Sequence, residues 1–163
     1  MDIKLFGFTI SIHKDTKDSC YKEIEYDGTE RWYNKDHRLH RDNDLPAIIW
    51  PNGSKEWYQN GEYHRDNDLP AIIYSNGGKV WFKDGKLHRD NDLPAVIYSD
   101  GGKEWFENGE LHRDNDLPAV IESNDTQYWY QNGLRHRDND LPAIIWPNGS
   151  KEWYQNGIKI MQK

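Results

Sequence analysis

The sequence holds a single cysteine, Cys20, in 163 residues. An intrachain disulfide is therefore excluded, and a reducing, cytoplasmic setting is the simpler expectation. Long hydrophobic runs are also missing. The most apolar stretch, Leu5 to Ile12, is far shorter than the roughly 20 residues that span a bilayer. It lacks the basic start and small-residue cleavage site of a secretory leader. Neither membrane insertion nor export is expected. Basic charge is in deficit, with 21 Lys and Arg against 28 Asp and Glu and a formal net charge of −7. General binding to a phosphate backbone needs a net basic surface, so it is not expected either.

A mean hydropathy of −1.10 would by itself point to disorder. Against that stand 8 Trp, 10 Tyr and 4 Phe, too many rings for a solvating tail. The rings are ordered by a repeat. His40-Arg41-Asp42-Asn43-Asp44-Leu45-Pro46-Ala47 recurs letter for letter at His64, His88, His112 and His136, every 24 residues. A fixed period of this size marks a repeat array, in which one supersecondary unit is copied and stacked.

Within a unit, short runs rich in β-branched and aromatic residues alternate with turn signals. Pro46–Trp50 and Lys55–Gln59 are expected strands around the turn Pro51-Asn52-Gly53. Asn60-Gly61, the strongest two-residue hairpin signal, follows. Ala47 and Trp57 would face each other as a small–large pair. Ala, the constant Ile49 row and Trp are assigned to the buried face, with Ile48 and Tyr58 on the other parity. The Trp50 slot accepts Glu122 and is expected to be wet. The domain reading is a capping strand and linker over 1–20, a degenerate first repeat over 21–39, five repeats over 40–157 and a cap over 158–163. Leu5–Ile12 is the expected edge strand, and His13 a solvated loop residue. The first copy is offset: Trp32 to Trp57 is 25 residues, whereas later tryptophans are 24 apart.

Asn-Gly-x-x-His, then a Pro-Ala-Ile-Ile run, a second turn and Trp-Tyr resemble MORN-type repeats. The closer likeness is to a variant class found in a bacterial antitoxin family and in repeat-rich giant-virus and phage proteins. The resemblance covers Tyr21 to Gly157 and departs from the standard unit in carrying Arg-Asp-Asn-Asp after His. It implies hairpins stacked into an elongated meandering sheet, used as a scaffold or for protein and sometimes lipid contact. The fold class is thus all-β: a tandem repeat of 24-residue hairpin units forming an elongated meandering sheet or β-solenoid. With strands about 4.8 Å apart, equivalent residues would recur roughly every 10 Å.

No nucleophile–base pair, carboxylate pair or phosphate loop can be assembled without residues that recur in every unit, so no enzyme is expected. Asp42-Asn43-Asp44 lacks the ligand pattern of a calcium loop and reads as a turn. Histidine rows roughly 10 Å apart cannot share one metal ion, so neither metal nor cofactor is expected. Candidate binding residues are the aromatic row Tyr58, Phe82, Phe106, Tyr130 and Tyr154, with the pairs His64-Arg65, His88-Arg89 and His112-Arg113. The Arg ladder either pairs with Asp to fix the turns or reads an anion through its planar fork. The aromatic row is either an open docking stripe or buried by curling or pairing into a homodimer. The leading expectation is a non-enzymatic scaffold for a protein partner. Sequestration of a small anionic ligand such as a nucleotide is the alternative, and a structural part of a viral particle or fibre is a third.

Overall fold

The structure is a computed structural model that describes residues 20–161 in full, and before them the backbone of Asp2–Leu5, Phe8–Ser11 and His13–Lys14. Its described residues form strands and turns without a helix. No helix is long and apolar enough to cross a membrane. The protein is all-β, and its hairpins follow one another as a meandering antiparallel sheet. The chain divides into two compact units, Met1–Gly85 and Lys86–Lys163.

In the first unit, neighbouring strands run in the order His13–Lys14, Tyr21–Ile24, Glu30–Tyr33, Ile48–Ile49, Lys55–Glu56, Ile72–Ile73 and Lys79–Val80. In the second, Val96–Ile97, Lys103–Glu104, Val120–Ile121, Gln127–Tyr128, Ile144–Ile145, Lys151–Gln155 and Ile158–Ile160 follow the same rule. The register is copied from hairpin to hairpin: Ile48 faces Glu56, Val96 faces Glu104 and Val120 faces Tyr128. The first turn of each hairpin closes as its sequence requires. The Asn or Asp side chain accepts the main-chain N–H two residues on, as in Ser54 to Asn52 Oδ1 (2.9 Å) and Gly102 to Asp100 Oδ1 (3.0 Å).

The expected five-residue strands are not continuous. Lys55–Glu56 and Tyr58–Gln59 are separate strands, interrupted at Trp57. The Trp57 N–H donates to Ala71 O of the next repeat (2.8 Å), while its carbonyl accepts from His64 N (3.2 Å). Tryptophan thus hands the backbone from the main sheet to a second small hairpin, Tyr58–Gln59 with Glu62–Tyr63, turned at Asn60-Gly61. Phe106–Glu107 with Glu110–Leu111 and Tyr130–Gln131 with Leu134–Arg135 are its counterparts in the second unit. Main-chain bonds tie small hairpins to the one before, as in Gly109 N–H to Leu87 O (2.9 Å) and Gly133 N–H to Leu111 O (3.0 Å).

This break changes which residues are buried. Ala47, Ala71, Ala95, Ala119 and Ala143 are fully buried, and Trp57, Trp81, Trp105 and Trp129 nearly so, as expected. The buried isoleucine, however, is Ile48 and not Ile49: Ile48, Ile72, Val96 and Ile144 are buried while the Ile49 row is only half-buried. Side chains alternate only along an unbroken strand, and the chain bends at Ala47, so Ala47 and Ile48 both turn inward. Ala47 O accepts from Trp32 N of the preceding repeat (2.8 Å), while the paired register with the following strand ends at Ile48 and Glu56, one residue short of Ala47 and Trp57.

Two further differences concern the beginning of the chain. The run from Leu5 to Ile12 is not one strand: Phe8–Ser11 folds back on Asp2–Leu5, and Phe6, Gly7 and Ile12 lie outside the described residues. His13–Lys14, read as loop, pairs with Tyr21 and Lys22. The one-residue offset of the first repeat lies in its second turn. There Asn34 Oδ1 accepts from Asp36 N (3.0 Å) and Arg38 N (3.1 Å), and His37 takes a positive φ of 56°.

Candidate functional site

The His-Arg-Asp-Asn-Asp block forms a turn in which Asn and the second Asp take left-handed φ values, 62° and 55° at Asn43 and Asp44. Short polar side chains tolerate that region better than most. The turn brings charged groups of successive blocks together. Arg65 Nε and Nη2 donate to the two carboxylate oxygens of Asp44 (2.7 and 2.9 Å), one repeat earlier. Arg113 grips Asp92 in the same way (2.8 and 2.9 Å), as Arg137 grips Asp116 (2.7 and 2.8 Å). Nη1 is used too, Arg113 donating to Pro118 O (3.3 Å). Each guanidinium lies over the preceding tryptophan, with Arg65 Cζ 3.8 Å from the Trp57 ring centre and Arg113 Cζ 3.9 Å from that of Trp105. The tryptophan Nε1 in turn donates to the turn's main chain, Trp57 to Asp44 O and Trp105 to Asp92 O (3.0 Å each). The arginine hydrogen bonds hold Asp44, Asp92 and Asp116 below the ordinary carboxylate range.

His40, His88, His112 and His136 are held at both ring nitrogens. His40 Nδ1 accepts the Asn60 N–H (3.2 Å) and His112 Nδ1 the Asn132 N–H (3.2 Å). The ring proton of the neutral form therefore sits on Nε2, facing the carboxylate two residues on: Asp42 at 3.0 Å and Asp114 at 3.2 Å. His64 and His88 meet Asp66 (3.1 Å) and Asp90 (3.0 Å) in the same manner. Arg89 stands at the equivalent place in its own turn and is half-buried like Arg65 and Arg113.

The expected aromatic row, Tyr58, Phe82, Phe106, Tyr130 and Tyr154, is half-buried throughout. In the first unit Tyr63 stacks between Tyr58 and Phe82, with ring centres 4.2 and 4.6 Å away. The Tyr58 and Tyr63 hydroxyls both donate to Glu56 Oε2 (3.0 and 2.9 Å). Burial, then Tyr63 and Glu56, push Tyr58 above the usual phenol range. In the second unit Phe106 pairs with Leu111 and Tyr130 with Arg135, whose Nε donates to the Tyr130 hydroxyl (3.0 Å). Other rings among the described residues are more exposed, Tyr26 most of all at 86%. Tyr74 is 46% and Tyr98 48% exposed, in the slot that also holds half-buried Trp50 and Trp146 and exposed Glu122. The slot's tolerance of Glu122 predicts that it is wet, but nothing in its residues marks it as a binding row.

Between consecutive turns of the second unit lies an open cleft of about 190 Å³, lined among others by His88, Arg89, Asp92, Trp105, His112 and Arg113. The matching cleft of the first unit, between the His40 and His64 turns, is about 120 Å³. Pockets for drug-sized ligands run from about 300 Å³ upward, a size reached by a third open cleft of about 340 Å³ in the first unit, lined among others by Arg38, Glu62, Tyr63 and His64. One group escaped the sequence reading entirely. Cys20, buried, stands beside His40 and Asp42, and nothing in its spacing marks it as part of that turn.

The chain matches no protein-family model, and no curated protein matches it.

Proposed function

We propose that this protein is a non-enzymatic repeat scaffold that binds a protein partner, built from MORN-like hairpins. The observation that carries the reading is an outward ring at the same repeat slot in each unit, Tyr74 in the first and Tyr98 in the second. Each exposes nearly half its surface, and the Tyr98 hydroxyl donates to Glu104 Oε1 (3.0 Å), which holds the ring's outer edge in place. Tyrosine and tryptophan are the usual anchors of protein interfaces, because a large rigid ring buries much area at little entropic cost. Within each unit the half-buried rings, Tyr58 and Phe82 in the first and Phe106, Tyr130 and Tyr154 in the second, would add apolar area to such a contact. The His-Arg-Asp blocks shape the edge; their donors are spent on Asp, Trp and main-chain partners, which leaves few for an anion. Committed guanidiniums also support nucleotide sequestration less well than docking. Repeated weak contacts along such a row would act together and favour an extended partner. An intracellular setting fits the single buried cysteine.

The test is a photo-crosslinking residue at position 98 in the native host, paired with native mass spectrometry of the purified chain. A crosslinked partner whose yield drops at least tenfold in Tyr74→Ala/Tyr98→Ala, with the fold intact by circular dichroism, is expected. Crosslinks only between copies, with a dimer mass, would replace docking by self-assembly. A retained small anion in the mass spectrum would bring sequestration forward.

A further inference from the structure

The His–Asp contact is copied in every full repeat, but at one copy a sulfur joins it. Cys20 Sγ lies 3.8 Å from Asp42 Oδ2, and Asp42 Oδ1 lies 3.0 Å from His40 Nε2. The ligand atoms of Cys20, His40 and Asp42 all fall within 4.8 Å of one another. Cys20 is 4% exposed, and His40 and Asp42 are half-buried around it. A tetrahedral zinc ion, with bonds of about 2.0–2.3 Å, sets its ligands roughly 3.3–3.8 Å apart. The cluster therefore needs only small movements to close on an ion. Thiolate, imidazole and carboxylate together are a borderline-soft donor set, suited to zinc and not to magnesium or calcium.

A nucleophilic relay would require the sulfur on one ring nitrogen of His40 and the carboxylate on the other. Here His40 Nδ1 is taken by the Asn60 N–H (3.2 Å). Asp42 instead turns one oxygen to the ring and the other to the thiol, so the three groups converge on one point. The other convergent cluster among the described residues, Glu107, His112 and Asp114, contains no sulfur and its carboxylates are exposed.

We propose that Cys20, His40 and Asp42 form a binding site for a thiophilic divalent cation of the zinc class, with a fourth position left to water or a further ligand. Binding releases the thiol proton to solvent and moves the His40 ring proton from Nε2 to Nδ1. The Asn60 N–H then loses its acceptor, which couples the ion to the Asn60-Gly61 turn.

Cobalt(II) titrated into the metal-stripped full chain is the probe. One cobalt per chain is expected, with a thiolate-to-metal charge-transfer band and tetrahedral visible bands, displaced by zinc. Cys20→Ser keeps a donor for Asp42 but should abolish the band, whereas His64→Ala, in a repeat without cysteine, should keep it. No band in the wild type, or a band that survives Cys20→Ser, overturns the site. In unmutated protein, zinc should shift the Asn60 amide resonance and leave Asn108, the same position beside His88 (3.4 Å), unmoved. Equal shifts at both, or at neither, would also overturn it.

Discussion

At the residue scale the repeated arginine is a structural clamp. Arg113 joins Asp92, Pro118 O and the face of Trp105, so a single side chain ties one turn to the strand and turn before it. Half of Asp92 is open to water, so the ion pair itself contributes little, and the ring contact and fork geometry matter more. Arg113→Ala should destabilise the fold by about 1–2 kcal/mol, read as a lower midpoint in urea with an unchanged slope. Arg113→Lys should recover little of this, because an ammonium cannot reproduce the bidentate fork or the stacking. A wild-type midpoint in Arg113→Ala, with loss of binding to an anion, would return the ladder to ligand recognition.

At the element scale the unit is a pair of hairpins hinged at tryptophan. Ala119 is fully buried, with its carbonyl accepting from Trp105 N (2.8 Å), and this row holds the smallest side chain in every repeat. The hinge works because a methyl group is all that fits beside the ring. Ala119→Val adds two methyl groups at a closed point and should cost about 1–3 kcal/mol by overpacking. Thermal denaturation would check it, and a neutral result would mean the strand can move aside. Lys151–Gln155 shows the converse. Trp153 has no following alanine row in this chain, and its strand runs on unbroken to pair with Ile158–Ile160.

At the scale of the whole molecule, identical rows make identical titrations add. Asp44, Asp92 and Asp116 are all held below the ordinary carboxylate range by arginine. A carboxyl with a lowered folded-state pKa stabilises the fold above its unfolded value of about 3.9, and that stability is lost as pH falls through the folded value. Melting temperature should therefore be flat on this account from neutral pH to about 5 and fall steeply below about 4. Arg113→Ala should shallow the acid limb, since Asp92 would then titrate alike in folded and unfolded chains. A limb of unchanged steepness would assign acid sensitivity to other groups.

The sequence alone determined the period, the all-β class, the turn positions and the burial of Ala and Trp. Turn chemistry is local: Asn-Gly and the Asx residues carry their conformation with them, and copying a unit copies its contacts. Even the pairing of Arg with Asp was legible as one of two readings, because both recur in every row. What only the tertiary structure decided involves partners distant in the chain. The bend at Ala47 puts Ile48 inside in place of Ile49, since a strand broken by a forward hydrogen bond to the next repeat no longer alternates. Cys20 reaches Asp42 across 22 residues, a meeting set by how the first strands lie on the array and written in no local pattern.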